Sequence, residues 1–207
     1  MQTDLFLNRP EDLNLLPVDG AVHNYGAVMT SSEADAFFLR LLHGITWAPD
    51  IAMVNGELIQ TVRQVAWYAD SPLRYTHSGV QRRSLPWDVE VLSELRTLVE
   101  RSTATTFNSC VLNHYQDGGQ GMGWHSDPEA RDAHDVIASL SLGGVRKFAF
   151  KHRVSGERRE IVLQHGQLIV MRGETQKYWL HALLKTKSET TPRISLTFRQ
   201  FPINAGV

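Results

Sequence analysis

The sequence holds a single cysteine, Cys110, among 207 residues. One thiol excludes an internal disulfide and any zinc site built on paired cysteines. No apolar run approaches the roughly 18 residues that a membrane span needs. Met1 to Asn8 carry Asp4 and no basic stretch ahead of an apolar one, so they do not read as a secretory signal, and a cytoplasmic location is expected. Excess charge of either sign is missing too. The 21 Lys and Arg stand against 22 Asp and Glu, for a net charge of -1 with His neutral. A chain-wide basic surface for nucleic acid is thereby excluded, and any such contact needs a local patch. Repeats and low-complexity tracts are absent as well. What remains is the composition of an ordinary globular chain, 42% hydrophobic and 21% charged. Its length suits one domain at roughly 150 residues per domain, and a monomer is expected.

The pattern changes along the chain. The first thirty residues mix acids, Asn, Pro10 and Pro17 and read as an irregular lead-in. Ser31 and Ser32 then open a helix whose apolar residues, Ala34, Phe37, Phe38, Leu41 and Leu42, recur at the helical period until Gly44. A second helix is expected from about Pro86, with Val91, Leu92, Leu95, Leu98 and Val99 as its buried stripe. Between them Asn55-Gly56 is a strong two-residue hairpin signal. Beyond residue 104 the pattern is of short β-rich segments, at 108–115, 136–142, 147–152, 160–163, 167–172 and 194–201, separated by Gly-rich turns. These point to an α+β fold in one domain spanning 1–207. Its residues 1–104 give the helices and the hairpin region, and 105–207 give a jelly-roll core.

With cysteine excluded, a metal must be held by His, Asp and Glu, and there are nine histidines. His125-Ser-Asp127 places two such ligands on one side of an extended segment. With one more His it would form the facial triad of non-haem Fe(II) oxygenases. Alone, the dipeptide reads better as a turn with a solvated Asp. His181, beside Trp179, is a candidate third ligand or a satisfied core histidine. In Pro192 to Arg199, residues Arg193, Ser195, Thr197 and Arg199 share one strand face, and Ile194, Leu196 and Phe198 share the other. Inside a barrel two arginines on one face call for an anion or carboxylates as partners. Asn113 and Tyr115 likewise share a face of their strand.

Taken together, these stretches resemble the AlkB family of Fe(II)- and 2-oxoglutarate-dependent dioxygenases. The resemblance is carried, in order, by Asn113-His-Tyr115, Gly123 to Glu129, Ile137 to Gly143, Arg146-Lys-Phe148, His165-Gly166, Trp179-Leu-His181 and Pro192 to Arg199. Ala66 to Asp70 and Tyr75 to Gly79 add a likeness to the nucleic-acid-repair branch. The resemblance implies a double-stranded β-helix, with His125, Asp127 and His181 as both the catalytic and the Fe(II)-binding residues. It implies that Arg193 pairs the distal carboxylate of 2-oxoglutarate, that Arg199 supports its other end and Asp127, and that Asn113 and Tyr115 donate to it. Ser195 stands where the family usually has Asn, which should loosen cosubstrate ordering slightly, and Thr197 shares the cosubstrate face.

The resemblance further implies Tyr75, His77, Ser78, Pro128 and Glu129 as substrate contacts. Glu129 would favour a cationic methylated base, and His77 would replace a more usual aromatic stacking partner. The implied reaction uses O2, with ascorbate as an accessory reductant. It dealkylates 1-methyladenine or 3-methylcytosine in DNA and releases an aldehyde, succinate and CO2. The base must be single-stranded or flipped from its stack. The hairpin tip carries no aromatic wedge, and Arg82-Arg83, Lys151 to Arg153 and Arg158-Arg159 are candidate phosphate contacts. RNA demethylation by the same chemistry and a non-catalytic jelly-roll metal- or ligand-binding module are the alternatives. Arg193 and Arg199 weigh against the latter.

Overall fold

The computed structural model describes residues 13–54, 56–77, 80–127, 130 and 135–201, with the side chains at 52–54, 75–77 and 80 outside that description. In chain order the elements are β1 (Ala21–Ala27), α1 (Ser31–Gly44), β2 (Ala48–Val54), β3 (Glu57–Ala69), β4 (Arg74–His77), β5 (Val80–Arg83), β6 (Leu85–Pro86) and α2 (Glu90–Thr103). There follow β7 (Ser109–Tyr115), β8 (Met122–His125), β9 (Ile137–Gly143), β10 (Arg146–His152), β11 (Arg158–Leu163), β12 (Gln167–Arg172), α3 (Thr175–Tyr178), β13 (Trp179–Leu183) and β14 (Arg193–Arg199).

The strands form a major sheet in the order β1-β12-β9-β14-β7-β3-β2, with β6 pairing β3, and a minor sheet in the order β11-β10-β13-β8, while β4 and β5 pair with each other. This is the jelly roll expected from the sequence. Three features depart from that expectation. The lead-in is not wholly irregular, because β1 pairs antiparallel with β12 and closes one edge of the major sheet. The N-terminal half is more than a support, since β1, β2 and β3 are strands of that sheet. And Pro86 lies in β6, paired parallel to β3, while α2 starts at Glu90.

Local chemistry explains where the helices sit. Thr30 caps α1 reciprocally: its hydroxyl accepts from Glu33 N at 3.3 Å, and its own N–H donates to Glu33 Oε2 at 2.8 Å. The apolar stripes of α1 and α2, including Ala34, Leu41, Leu92, Leu95 and Val99, pack on one face of the major sheet. That face presents Cys110, Leu112, Leu140, Leu142, Ile194, Leu196 and Phe198. Strand alternation sends the intervening residues to the opposite face, between the two sheets. The register sets these in rows across the strands. Ser195 stands between Asn113 and Ser141, Arg193 between Tyr115 and Gly143, and Thr197 between Val111 and Ser139. At Gly143, with φ +86, a Cβ would lie 2.2 Å from the Pro192 carbonyl oxygen, so only glycine lets the chain pass beside Arg193.

Candidate active site

The polar rows line a cavity of about 450 Å³ between the sheets. His125, Asp127 and His181 stand at one side of it, with one ligand atom from each lying within 4.8 Å of the others. β8 and β13 bring the two histidines together, because His125 and His181 are paired residues of adjacent strands. Their rings meet edge to face at 4.2 Å.

The proton positions suit a cation. His125 Nδ1 lies 2.8 Å from the Gly123 carbonyl, which only accepts, so Nδ1 carries a proton and Nε2 is the nitrogen left to bind a metal. Asp127 is 5% exposed and its Oδ1 accepts from Arg199 at 3.0 Å, leaving Oδ2 facing His181 Nε2 at 3.6 Å. That gap is too long for a good hydrogen bond and suits two ligands aimed at one point. Burial first, and the neighbouring His125 second, push the His181 pKa down to about 3 against the pull of Asp127. His181 is therefore a neutral imidazole at physiological pH, as a metal ligand must be. A neutral-nitrogen and carboxylate set with no sulfur fits Fe(II).

The anion-binding side is equally built. Arg193 is 2% exposed, its Nη2 donates to Ser141 Oγ at 2.8 Å, and its guanidinium lies 5.9 Å from the centre of the Tyr115 ring. Its Nε is buried with no partner among the described residues. Burial foremost, with the nearby Arg146 adding to it, lowers the Arg193 pKa to about 10. A buried cation with an orphaned donor fits a carboxylate ligand. Asn113, Tyr115, Ser195, Thr197 and Arg199 line the same cavity. Arg146, fully buried, fastens the surrounding loops by donating to the carbonyls of Gln120 at 2.7 Å and Leu184 at 2.5 Å.

Arg63, Arg82 and Arg83 also line the cavity, together with Asp50. The buried Asp50 carboxylate accepts from both Arg63 and Arg82, and Arg82 also donates to the Ile51 carbonyl at 2.9 Å. Burial works to raise the Asp50 pKa, but the two guanidinium groups overcome it and hold the carboxyl below its usual range. Trp67 forms part of the wall, with its indole N–H donating to Ser109 Oγ at 2.6 Å.

Of the residues singled out in the sequence, the nine expected to bind metal or cosubstrate are brought to this one cavity. Tyr75 and His77 lie in β4 with side chains outside the described set, and Ser78, Pro128 and Glu129 lie outside the described residues altogether. Sequence reasoning missed Ser141, Trp67, Gln176 and the Asp50–Arg63–Arg82 cluster. The alternation of Ile137 to Gly143 carried a signal for Ser141. Nothing local to Asp50 announced its partners.

The chain is similar to known proteins. A family model described as the 2OG-Fe(II) oxygenase superfamily matches residues 21–199. The chain is 35% identical over 201 residues to DNA oxidative demethylase ALKBH2 of Mus musculus, with 91% of this chain and 84% of that protein covered. It is 33% identical over 185 residues to alpha-ketoglutarate-dependent dioxygenase alkB homolog 3 of Mus musculus, with 84% and 64% covered. The solved structure of OsALKBH1 matches with a TM-score of 0.62 at 15% identity, over 89% of this chain and 98% of that one, which is a likeness of fold.

Proposed function

The chain belongs to the 2OG-Fe(II) oxygenase superfamily and, within it, to the AlkB family of nucleic-acid repair dioxygenases, and on that premise we propose that it removes N-alkyl groups from bases in DNA. It is an Fe(II)- and 2-oxoglutarate-dependent dioxygenase acting on nucleic acid. The proposed substrates are 1-methyladenine and 3-methylcytosine in single-stranded or base-flipped DNA. The observation that carries this reading is the build of the cavity. Metal ligands and anion-binding arginines line it together with Arg63, Arg82 and Arg83, of which Arg63 and Arg82 pair with Asp50. A net charge of -1 hides that local excess of arginine. Such a lining suits a phosphodiester strand, and a cavity of about 450 Å³ suits one everted base.

Bound Fe(II) supplies O2 activation coupled to decarboxylation of 2-oxoglutarate, and the N-methyl carbon is the group hydroxylated. The balance is methylated base, O2 and 2-oxoglutarate giving base, formaldehyde, succinate and CO2. The protein's own work is placement. In this reading His125, Asp127 and His181 hold the metal. Arg193, seated on Ser141, takes the distal carboxylate of the cosubstrate, with Asn113 and Tyr115 donating beside it. Arg199 occupies Asp127 Oδ1 and so commits Oδ2 to the metal. Trp67, Val111 and Phe148 give the cavity an apolar wall that keeps water from the reacting carbon. The β2–β3 hairpin closes at the Val54–Glu57 pair, and the sequence between them, Asn-Gly, offers no aromatic wedge to pry a duplex apart, which favours single strands.

The test is incubation with Fe(II), 2-oxoglutarate, O2 and a single-stranded oligonucleotide bearing one 1-methyladenine, followed by mass spectrometry. Loss of one methyl group that requires 2-oxoglutarate and His181 is expected. Succinate formed without methyl loss moves the substrate to RNA or another adduct. Neither product from iron-loaded protein removes the catalytic reading.

A further inference from the structure

Asp127 meets the metal site from outside the sheet. β8 ends at His125, so the Asp127 main-chain N–H has left the ladder that satisfies its neighbours, although the residue is 5% exposed. A buried N–H needs an acceptor. Here the acceptor is a side chain: Gln176 Oε1 lies 3.0 Å from it. Gln176 is itself 3% exposed and sits in α3, the single turn that leads into β13 and His181. Its other amide atom, Nε2, faces Met171 Sδ on β12 at 3.5 Å. A sulfur acceptor on one side and an N–H donor on the other fix which way the amide points.

The turn that carries Gln176 is firmly seated. Thr175 Oγ1 accepts from Ala21 N at 2.9 Å and lies 2.5 Å from the Arg172 carbonyl oxygen. Gly20 permits the close approach, because a Cβ there would lie 2.7 Å from Thr175 Oγ1. Gln176 therefore spans from a fixed turn between β12 and β13 to the loop that holds Asp127.

We propose that Gln176 is a positioning residue for the metal centre, acting through the Asp127 main chain. Arg199 restrains one carboxylate oxygen, and the Asp127 carbonyl accepts from Ala130 N at 3.1 Å. Gln176 holds the backbone, so the carboxylate is fixed at both ends and Oδ2 has one place to be. Because the same turn delivers His181, two ligands are held in one frame. The inference rests on reading His125, Asp127 and His181 as metal ligands and is independent of which nucleic acid is the substrate.

The experiment titrates metal-free protein with Co(II), a redox-stable stand-in for Fe(II), and follows its visible absorption. Gln176→Met removes the acceptor while nearly preserving volume. It is expected to weaken Co(II) binding about tenfold or more, as loss of an outer support of a ligand does, and to alter the Co(II) absorption bands. A purely structural role for Gln176 would lower thermal stability without moving affinity or spectrum at a temperature where the protein is folded. Wild-type affinity and spectrum in Gln176→Met therefore overturn the proposal, whatever its melting temperature. Should that variant fail to fold, Gln176→Asn, one methylene shorter, carries the same test, and wild-type affinity there overturns it equally. Wild-type protein that binds Co(II) no better than His181→Ala would instead overturn the triad reading, and the proposal with it.

Discussion

Arg193→Met should separate stability from function in a way that an ordinary core mutation does not. The guanidinium is 2% exposed and has no carboxylate partner among the described residues. Burial lowers its pKa from 12.5 to about 10. At about 1.4 kcal/mol per factor of ten, holding the charge there costs about 3 kcal/mol relative to water. At pH 7, well below both values, that whole cost is present. Against it stand the hydrogen bond to Ser141 Oγ, about 1–1.5 kcal/mol, and the contact with the Tyr115 ring, about 0.5–1 kcal/mol. Removing the arginine removes both sides of this balance. The metal-free variant should thus be as stable as the wild type or more stable by about 1 kcal/mol, which for a chain of this size raises Tm by about 2–4 °C. Saturating 2-oxoglutarate should do the opposite. With Mn(II) present, a concentration about 100 times Kd stabilises the wild type by about 2.7 kcal/mol, and the variant should show no such gain. The assay is thermal unfolding of each protein with and without 2-oxoglutarate. A metal-free variant less stable than wild type by more than about 2 kcal/mol would refute the uncompensated-charge reasoning. A full cosubstrate shift in the variant would refute the assignment of Arg193.

Ser141→Ala keeps the guanidinium but removes its seat. The expected loss is about 1–1.5 kcal/mol, or roughly tenfold in 2-oxoglutarate Kd, measured by calorimetry on Mn(II)-loaded protein. Asp50→Asn leaves Arg63 and Arg82 facing each other and should cost about 3 kcal/mol at neutral pH in urea unfolding. The Asp50 carboxyl is held below its ordinary 3.8, so its contribution is complete above that value and is lost as pH falls through the folded-state value. The gap between wild type and Asp50→Asn should therefore close in strong acid, and an equal gap at both pH values would contradict the cluster. Oligonucleotide binding should weaken only gently with salt, with Arg82→Met and Arg83→Met each reducing the slope by about one phosphate; a wild-type slope worth more than about six phosphates would point to a larger surface than the cavity lining.

Much of the site was legible because strand alternation writes itself into sequence. Arg193, Ser195, Thr197 and Arg199 share a face by period alone, and the structure sets Asn113 and Tyr115 beside them by register. The first helix, the stripe of α2 and the hairpin joining β2 and β3 were equally local signals. β1 escaped because Ala-Val-His-Asn-Tyr-Gly-Ala has no sustained alternation, and its strand character comes from pairing with β12. Pro86 reads as a helix opener by habit, yet it costs nothing in the short strand β6 beside β3. The Asp50 cluster joins three strands, two of them through the hairpin register, and Gln176 reaches Asp127 across 49 positions. Neither contact has a local pattern that a reading of the sequence can find.

The most direct test of the account follows formaldehyde and succinate together. Protein loaded with Fe(II) and 2-oxoglutarate is given O2 and a single-stranded oligonucleotide bearing one 3-methylcytosine. One formaldehyde per repaired base, matched by succinate and abolished in His181→Ala and Arg193→Met, is the expected result. Succinate with unchanged 3-methylcytosine and 1-methyladenine, across DNA and RNA alike, would contradict the assignment of this cavity to alkylated bases.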